Sequence, residues 1–225
     1  MIIGLIGNKR VGKDSVADYL CYKYKFKKYA FADGVKETCK VLFNFTDDQL
    51  NNDIKENKDD IWGISPRKAM QFIGTEVMQY KITELLPNIK KLFWVNRLRN
   101  KIIKENNIKD IGDLHNNIVI SDFRFLHEIL EFQKYNILFI HILRDMTYES
   151  RDSHLSENEL TSIDILCLDL KNHHIIYNDG TLDDLYSKMG DILSIRIEDC
   201  VSYADVPLTP PVNQAFDASL SSMSD

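Results

Sequence analysis

The sequence lacks the surplus of positive charge that a nucleic-acid backbone demands. Its 28 Lys and Arg are outnumbered by 34 Asp and Glu, for a net charge of −6, so binding to nucleic acid is excluded as the main task and only a local basic cleft is compatible with the balance. It is also short of bilayer-spanning runs. The longest apolar stretch near the middle, ILFIHIL at 137–143, is far below the roughly 20 residues a spanning helix needs. The apolar opening MIIGLIGNKR carries its charges after the apolar run instead of before it, the reverse of a secretory signal. The four cysteines, Cys21, Cys39, Cys167 and Cys200, form no CxxC pair, and no histidine spacing completes a zinc pattern with them. Free thiols and a cytoplasmic location are expected. No internal repeat is present. Lys and Arg are missing altogether from 199–225, which holds four Asp, Pro207, Pro210, Pro211 and a Ser-rich end. This segment is expected to be a disordered acidic tail following a globular domain over 1–198.

What is present is an alternation of short apolar runs with segments of helical character. The runs fall at 1–6, 28–32, 118–121, 137–143 and 174–177. Runs that are apolar on both faces suit parallel strands covered by helices on each side. Helices are expected over 13–24, 34–43, 65–86, 92–105, 124–135 and 181–193. Ser65 serves as an N-cap with Pro66 at the first helical position, and Thr181 opens the last helix ahead of Asp183 and Asp184. The order implies an α/β fold with a five-stranded parallel sheet sandwiched by helices, whose ligands sit beyond the C-terminal ends of the strands. The polar stretch 47–60 reads as a mobile surface element, and 104–117 as a connection with little pattern.

Chemistry concentrates at those strand ends. GNKRVGKD, Gly7 to Asp14, lies between a buried strand and a helix, the setting of a phosphate-binding loop. Gly7 and Gly12 allow several backbone N–H groups to turn inward around an anion. Lys9 and Val11 belong to the loop, and Lys13 supplies a point charge for the β- and γ-phosphates of a nucleoside triphosphate, read as ATP. Most such loops continue with Ser or Thr as a Mg²⁺ ligand. Here Asp14 follows Lys13 and Ser15 follows Asp14. Asp14 is read either as a metal ligand, with Ser15 on a phosphate, or as a helix cap.

Five segments, GKDS, SPRKAMQFIGTEVMQ, SDFRFLHE, RDSHLSE and NDGTLDDLY, resemble in order and spacing the deoxynucleoside monophosphate kinases of bacteriophages and large DNA viruses, over about residues 1–195. The resemblance implies the P-loop kinase fold and Mg²⁺-dependent transfer of the ATP γ-phosphate to a deoxynucleoside monophosphate. It implies an acceptor-binding segment over about 33–100 and a lid over about 144–160. Asp33 and Lys36 would face the acceptor, or else serve as helix cap and solvent lysine. Arg67 and Gln71, four apart and so on one helix face, suit a phosphate and a base edge. Asp122 would orient magnesium through water or bind the acceptor, Arg124 would counter a phosphate charge, and Glu128 would bind substrate or hold Arg124 as an i,i+4 partner. Arg144 and Arg151 are candidates for neutralising the moving phosphoryl group, with His154 and Glu157 in the lid. Asn178 and Gly180 would form the turn beside adenine. Trp94 is read as a core residue. The partner is a small-molecule deoxynucleotide, with neither nucleic acid nor membrane involved, and the resemblance leaves a homodimer open. GKD also looks like the signature of animal phosphomevalonate kinases. A kinase of phosphomevalonate or dephospho-coenzyme A, and a non-catalytic ATP sensor, therefore stand as rival readings.

Overall fold

The apolar runs do pair as strands. In a computed structural model, which describes residues 1–51, 53–144, 170 and 172–204, with side chains described to residue 194, five strands form one parallel sheet. They are β1 (Ile2–Ile6), β2 (Lys27–Tyr29), β3 (Ile118–Phe123), β4 (Ile137–Leu143) and β5 (His173–Tyr177), in the order β2-β3-β1-β4-β5. β1 lies between β3 and β4, with Ile2 level with both Ile118 and Ile137.

Successive residues of β1 point to opposite faces. Ile2 and Ile6 enter a core with Phe31, Trp94, Leu98, Ile129, Phe132 and Phe139. Ile3 and Leu5, pointing the other way, are equally shut off from solvent. Both faces are thus covered, which is why β1 reads as an unbroken apolar run.

The helices follow the strands. α1 (Lys13–Tyr24) spans the expected residues. α2 (Phe31–Phe43) starts earlier than expected, and β2 ends at Tyr29. The expectation that 28–32 is strand is corrected here for a visible reason. The Asp122 carboxylate accepts hydrogen bonds from the Phe31 and Ala32 amides at 2.8 and 2.9 Å, satisfying the orphan donors of a helix that begins at once. Phe31 then packs edge-on to Phe123 and Phe132.

The stretch 47–60, expected as a mobile surface element, contains regular turns. It folds as α3 (Asp47–Asn51) and a 3₁₀ turn (Asp53–Glu56). Leu50 joins Cys39, Phe45 and Ala69 in a second small core, each 2 % exposed or less, and burial of these side chains anchors an otherwise polar segment. Burial also pushes the Cys39 thiol up to about 11, leaving it an inert packing group.

The expected helix 65–86 is present but not regular. It runs as α4 (Pro66–Gln71), a π-helical stretch (Phe72–Lys81) and α5 (Ile82–Leu85). Ser65 does cap it, accepting from the Lys68 amide. Trp94, on α6 (Phe93–Asn106), is buried and donates its indole N–H to the Gly74 carbonyl at 2.7 Å. The connection 104–117 includes the end of α6 and a 3₁₀ turn (Ile111–Asp113) pinned by buried Ile111. α7 (Leu126–Phe132) is shorter than expected, and α8 (Leu182–Ala204) is longer.

The chain divides into two units, Met1–Met189 and Gly190–Asp225. The first holds the sheet. The second is described by its helical residues through Ala204, so helix extends past the residue where a tail was expected to begin. No helix among the described residues is long and apolar enough to cross a membrane.

Truncating Leu50 should test the small core. Leu50→Ala is expected to destabilise the protein by about 2–5 kcal/mol, read by chemical denaturation. Truncation of the exposed Leu42 on neighbouring α2 should leave stability nearly unchanged.

Candidate functional site

The loop after β1 takes the shape its glycines allow. Gly7 and Gly12 sit at φ 147° and 108°, a region that side-chain-bearing residues rarely adopt. Space forbids a side chain as well: a Cβ on Gly7 would lie 2.5 Å from the Ile142 carbonyl oxygen, and one on Gly12 would lie 2.8 Å from Asn178 Nδ2. Lys13, 8 % exposed, folds back along the loop and donates to the Gly7 and Asn8 carbonyls at 2.7 and 2.6 Å. Its ammonium is thereby held over the loop. Val11 is buried, whereas Lys9 and Ser15 are half-buried at the rim.

Asn178 has a structural task that its sequence position did not reveal. Its Nδ2 donates to the Val11 carbonyl at 2.8 Å, although the two residues are 167 positions apart. The end of β5 therefore braces the loop from beneath. Gly180 is exposed in the same turn, where Thr181 and Asp184 cap α8 reciprocally.

Asp14 is exposed in the first turn of α1, and Lys28 approaches its carboxylate at 3.2 Å. Asp122 stands near the end of β3, beside β1, with both carboxylate oxygens engaged by the α2 amides. Burial pushes its carboxyl above the ordinary range, with Arg124 and those amides pulling the other way. No cluster of three candidate metal ligands occurs among the described residues. A magnesium ion carried on a nucleotide does not need one, since it keeps several waters and takes one or two protein carboxylates. The Asp14 carboxylate, a hard oxygen donor next to Lys13, fits that requirement.

Glu128 is only 3 % exposed and accepts hydrogen bonds from the Arg124 and Phe125 amides at 2.8 and 3.0 Å. It thus holds the backbone of Arg124 and starts α7, where a side-chain i,i+4 pair was one expectation. Burial pushes its carboxyl up to about 8.

On the acceptor side, Asp33 and Lys36 lie half-buried in the first two turns of α2, and Lys36 donates to the Asn51 side chain at 2.7 Å. Arg67 and Gln71 share α4, as the four-residue spacing requires. Arg67 Nε donates to Glu56 Oε1 at 2.5 Å, and Lys9 donates to the same oxygen at 3.3 Å. A single carboxylate therefore joins the loop after β1 to α4. Glu56 and its neighbour Lys55 had no signal in the sequence, where they looked like part of a solvated charge run. Arg144 follows β4 and is exposed. Arg151, His154 and Glu157 lie outside the described residues.

With this geometry in view, comparison with known proteins is informative. The family model described as deoxynucleotide monophosphate kinase matches residues 1–60 and 39–189. A protein of Acanthamoeba polyphaga mimivirus, provisionally described by the same name, is 32% identical over 196 residues, covering 84% of this chain and 94% of its own length. The deoxynucleotide monophosphate kinase of Escherichia phage RB69 is 32% identical over 137 residues, covering 61% of this chain. That of Enterobacteria phage T4 is 26% identical over 168 residues, covering 74%. The chain spans 47% and 58% of those two phage proteins.

Two outcomes are expected. Asn178→Ala should loosen the loop and raise the KM for nucleotide about tenfold, the scale of a buried hydrogen bond lost with its partner left unsatisfied. The second concerns pH. The folded state holds the Glu128 proton up to about pH 8, and the unfolded chain loses it near the ordinary 4.5, so this group makes stability fall as pH rises between those values. His127, His141 and His173, pushed down to about 4 by burial, act oppositely below about 6.5 and are silent above it. Between pH 6.5 and 8 stability should therefore decline, and Glu128→Gln should flatten that decline in melting curves.

Proposed function

Because this chain belongs to the deoxynucleotide monophosphate kinase family, it is a kinase of deoxynucleoside monophosphates, and we propose that it uses ATP with Mg²⁺ as the phosphoryl donor. The observation that carries the assignment of roles is the meeting of two sets of cations. Lys9 and Lys13 belong to the phosphate loop, Arg67 belongs to the acceptor segment, and Glu56 holds Lys9 and Arg67 at one oxygen. Donor and acceptor phosphates would be drawn to adjoining charges.

The residues divide the work accordingly. The amides between Gly7 and Lys13 hold the donor phosphates, and Lys13 leaves its loop carbonyls to reach the β- and γ-oxygens. Ser15 lies where it can contact a phosphate. Asp14, with Asp122 acting through water, would hold magnesium, which when bound would supply positive charge to the donor phosphates. Asp122 has a second part that its hydrogen bonds support: it fixes the start of α2, and with it Asp33 and Lys36, against the sheet. Arg67, Arg124 and Lys36 take the acceptor phosphate, and Gln71 reads the base edge. The nucleophile is an acceptor phosphate already ionised near pH 7, so no general base is needed and none of these groups is asked to move a proton. Charge neutralisation falls to the arginines at the end of β4, Arg144 and, in the lid, Arg151, with His154 and Glu157 ordering that lid. Asn178 and Gly180 would border the adenine, the former chiefly by holding the loop in shape. A cytoplasmic location, in the host if the chain is viral, and a homodimer complete the proposal.

A coupled ADP-release assay with dGMP, dTMP, dCMP, dAMP and their ribose counterparts tests it. Turnover is expected with one or more deoxynucleotides. Lys13→Ala and Arg67→Ala should each lower kcat/KM by about two to three orders of magnitude, and near-normal rates in both would sink the proposal. Activity with phosphomevalonate or dephospho-coenzyme A alone would establish the rival acceptor.

A further inference from the structure

The 3₁₀ turn Asp53–Glu56 has no buried residue, yet the phosphate loop and α4 both converge on it. Glu56 receives Lys9 from the loop and Arg67 from α4 at the same oxygen. Arg10 approaches Asp53 at 3.8 Å, a pair too exposed to hold much by itself. Lys55, half-buried, is crowded by positive charge. Its ammonium is pushed below the ordinary range by burial and by Arg67, Lys9 and Lys36, with Glu56 alone opposing them. Glu56 thus joins cations of two separate elements at one oxygen, with Lys36 and Lys55 close by.

Depth decides which partner is the movable one. The Arg67 side chain is 20% exposed and that of Lys9 34%, whereas that of Glu56 is 44% exposed. Arg67 rises from a helix whose Pro66 and Ala69 are buried. The cations are therefore held by packed structure, and the anion by a surface turn. A phosphate dianion brings twice the charge and three acceptor oxygens, and it bonds arginine more strongly than a carboxylate held by one oxygen.

We propose that the Glu56 carboxylate is a built-in substitute for the acceptor phosphate, which displaces it from Lys9 and Arg67. The proposal rests on the reading of this chain as a deoxynucleoside monophosphate kinase and adds one residue to it. Glu56 keeps the cations from repelling one another while the site is empty. The same charge then opposes the incoming phosphate until the turn swings aside.

The test is equilibrium binding of the four deoxynucleoside monophosphates, with steady-state kinetics on the same proteins. Glu56→Gln keeps the shape of the side chain and removes its charge. It should lower the acceptor Kd and KM about three- to fivefold, the strength of a half-exposed ion pair. Weaker or unchanged acceptor binding in Glu56→Gln overturns the proposal, because Glu56 would then be orienting Arg67 instead of occupying its site. If the wild-type protein turned over none of the four acceptors, the kinase reading would fall. The role of Glu56 would still be decided by calorimetric titration with inorganic phosphate, which Glu56→Gln must bind more tightly than wild type; equal or weaker binding overturns it.

Discussion

The pairing of β1 between β3 and β4 is the constraint on which the remaining geometry rests. Parallel strands end on the same side, so the phosphate loop after Ile6, the Asp122 corner of β3 and the Arg144 end of β4 emerge together. Strand order reverses at β1, and a crevice opens where connections leave in opposite directions. The chain places its glycines at that crevice. The Ile142 carbonyl leaves no room for a side chain on Gly7, and Asn178 leaves none on Gly12. The loop is thus shaped by β4 and by the turn after β5, and its form is a property of the sheet as much as of its own residues.

Buried carboxylates extend this order outward. Asp122 and Glu128 are separated by little chain, and each accepts two backbone amides at the start of a helix, Asp122 for α2 and Glu128 for α7. Each satisfies donors that the helix backbone itself cannot, Asp122 from the end of β3 and Glu128 from the first turn of α7. The Asp122 charge raises the proton affinity of Glu128, and Arg124 between them lowers that of both. A residue suited to a substrate phosphate therefore also has internal work, and substrate binding at Arg124 would be felt at two helix starts.

The elements legible in the sequence were those whose signal is local. α1 and β4 have the expected bounds because a strand–glycine–helix junction and a seven-residue apolar run need no distant partner to be recognised. The Ser65 cap and the buried Trp94 were legible for the same reason. The start of α2 was not, because the group that captures it, Asp122, is 90 residues further along the chain. Nor was the role of Asn178, which braces a loop 167 residues away. The stretch 47–60 looked mobile because one Leu among many charges is a weak signal. Only folding shows that Leu50 meets Phe45, Cys39 and Ala69, and that Glu56 meets Lys9.

The irregular helix between α4 and α5 belongs to the same account. A π-helical stretch widens the helix and displaces the carbonyl–amide pairing of each turn. Here the Gly74 carbonyl accepts the Trp94 indole N–H, and Gly74 itself lies against Val35 of α2. The widened turns are therefore tied on one side to α6 and on the other to the helix that carries Asp33 and Lys36. Arg67 and Gln71 lie just before this stretch, on the regular turns of α4. A shift of α2 on acceptor binding would press on Gly74 through Val35, and turns already departing from regular geometry give way more readily than an ideal helix. The residues proposed for the acceptor on α2 and on α4 would then be coupled through a deformable segment rather than through one rigid rod, which would let Lys36 and Arg67 close on one phosphate.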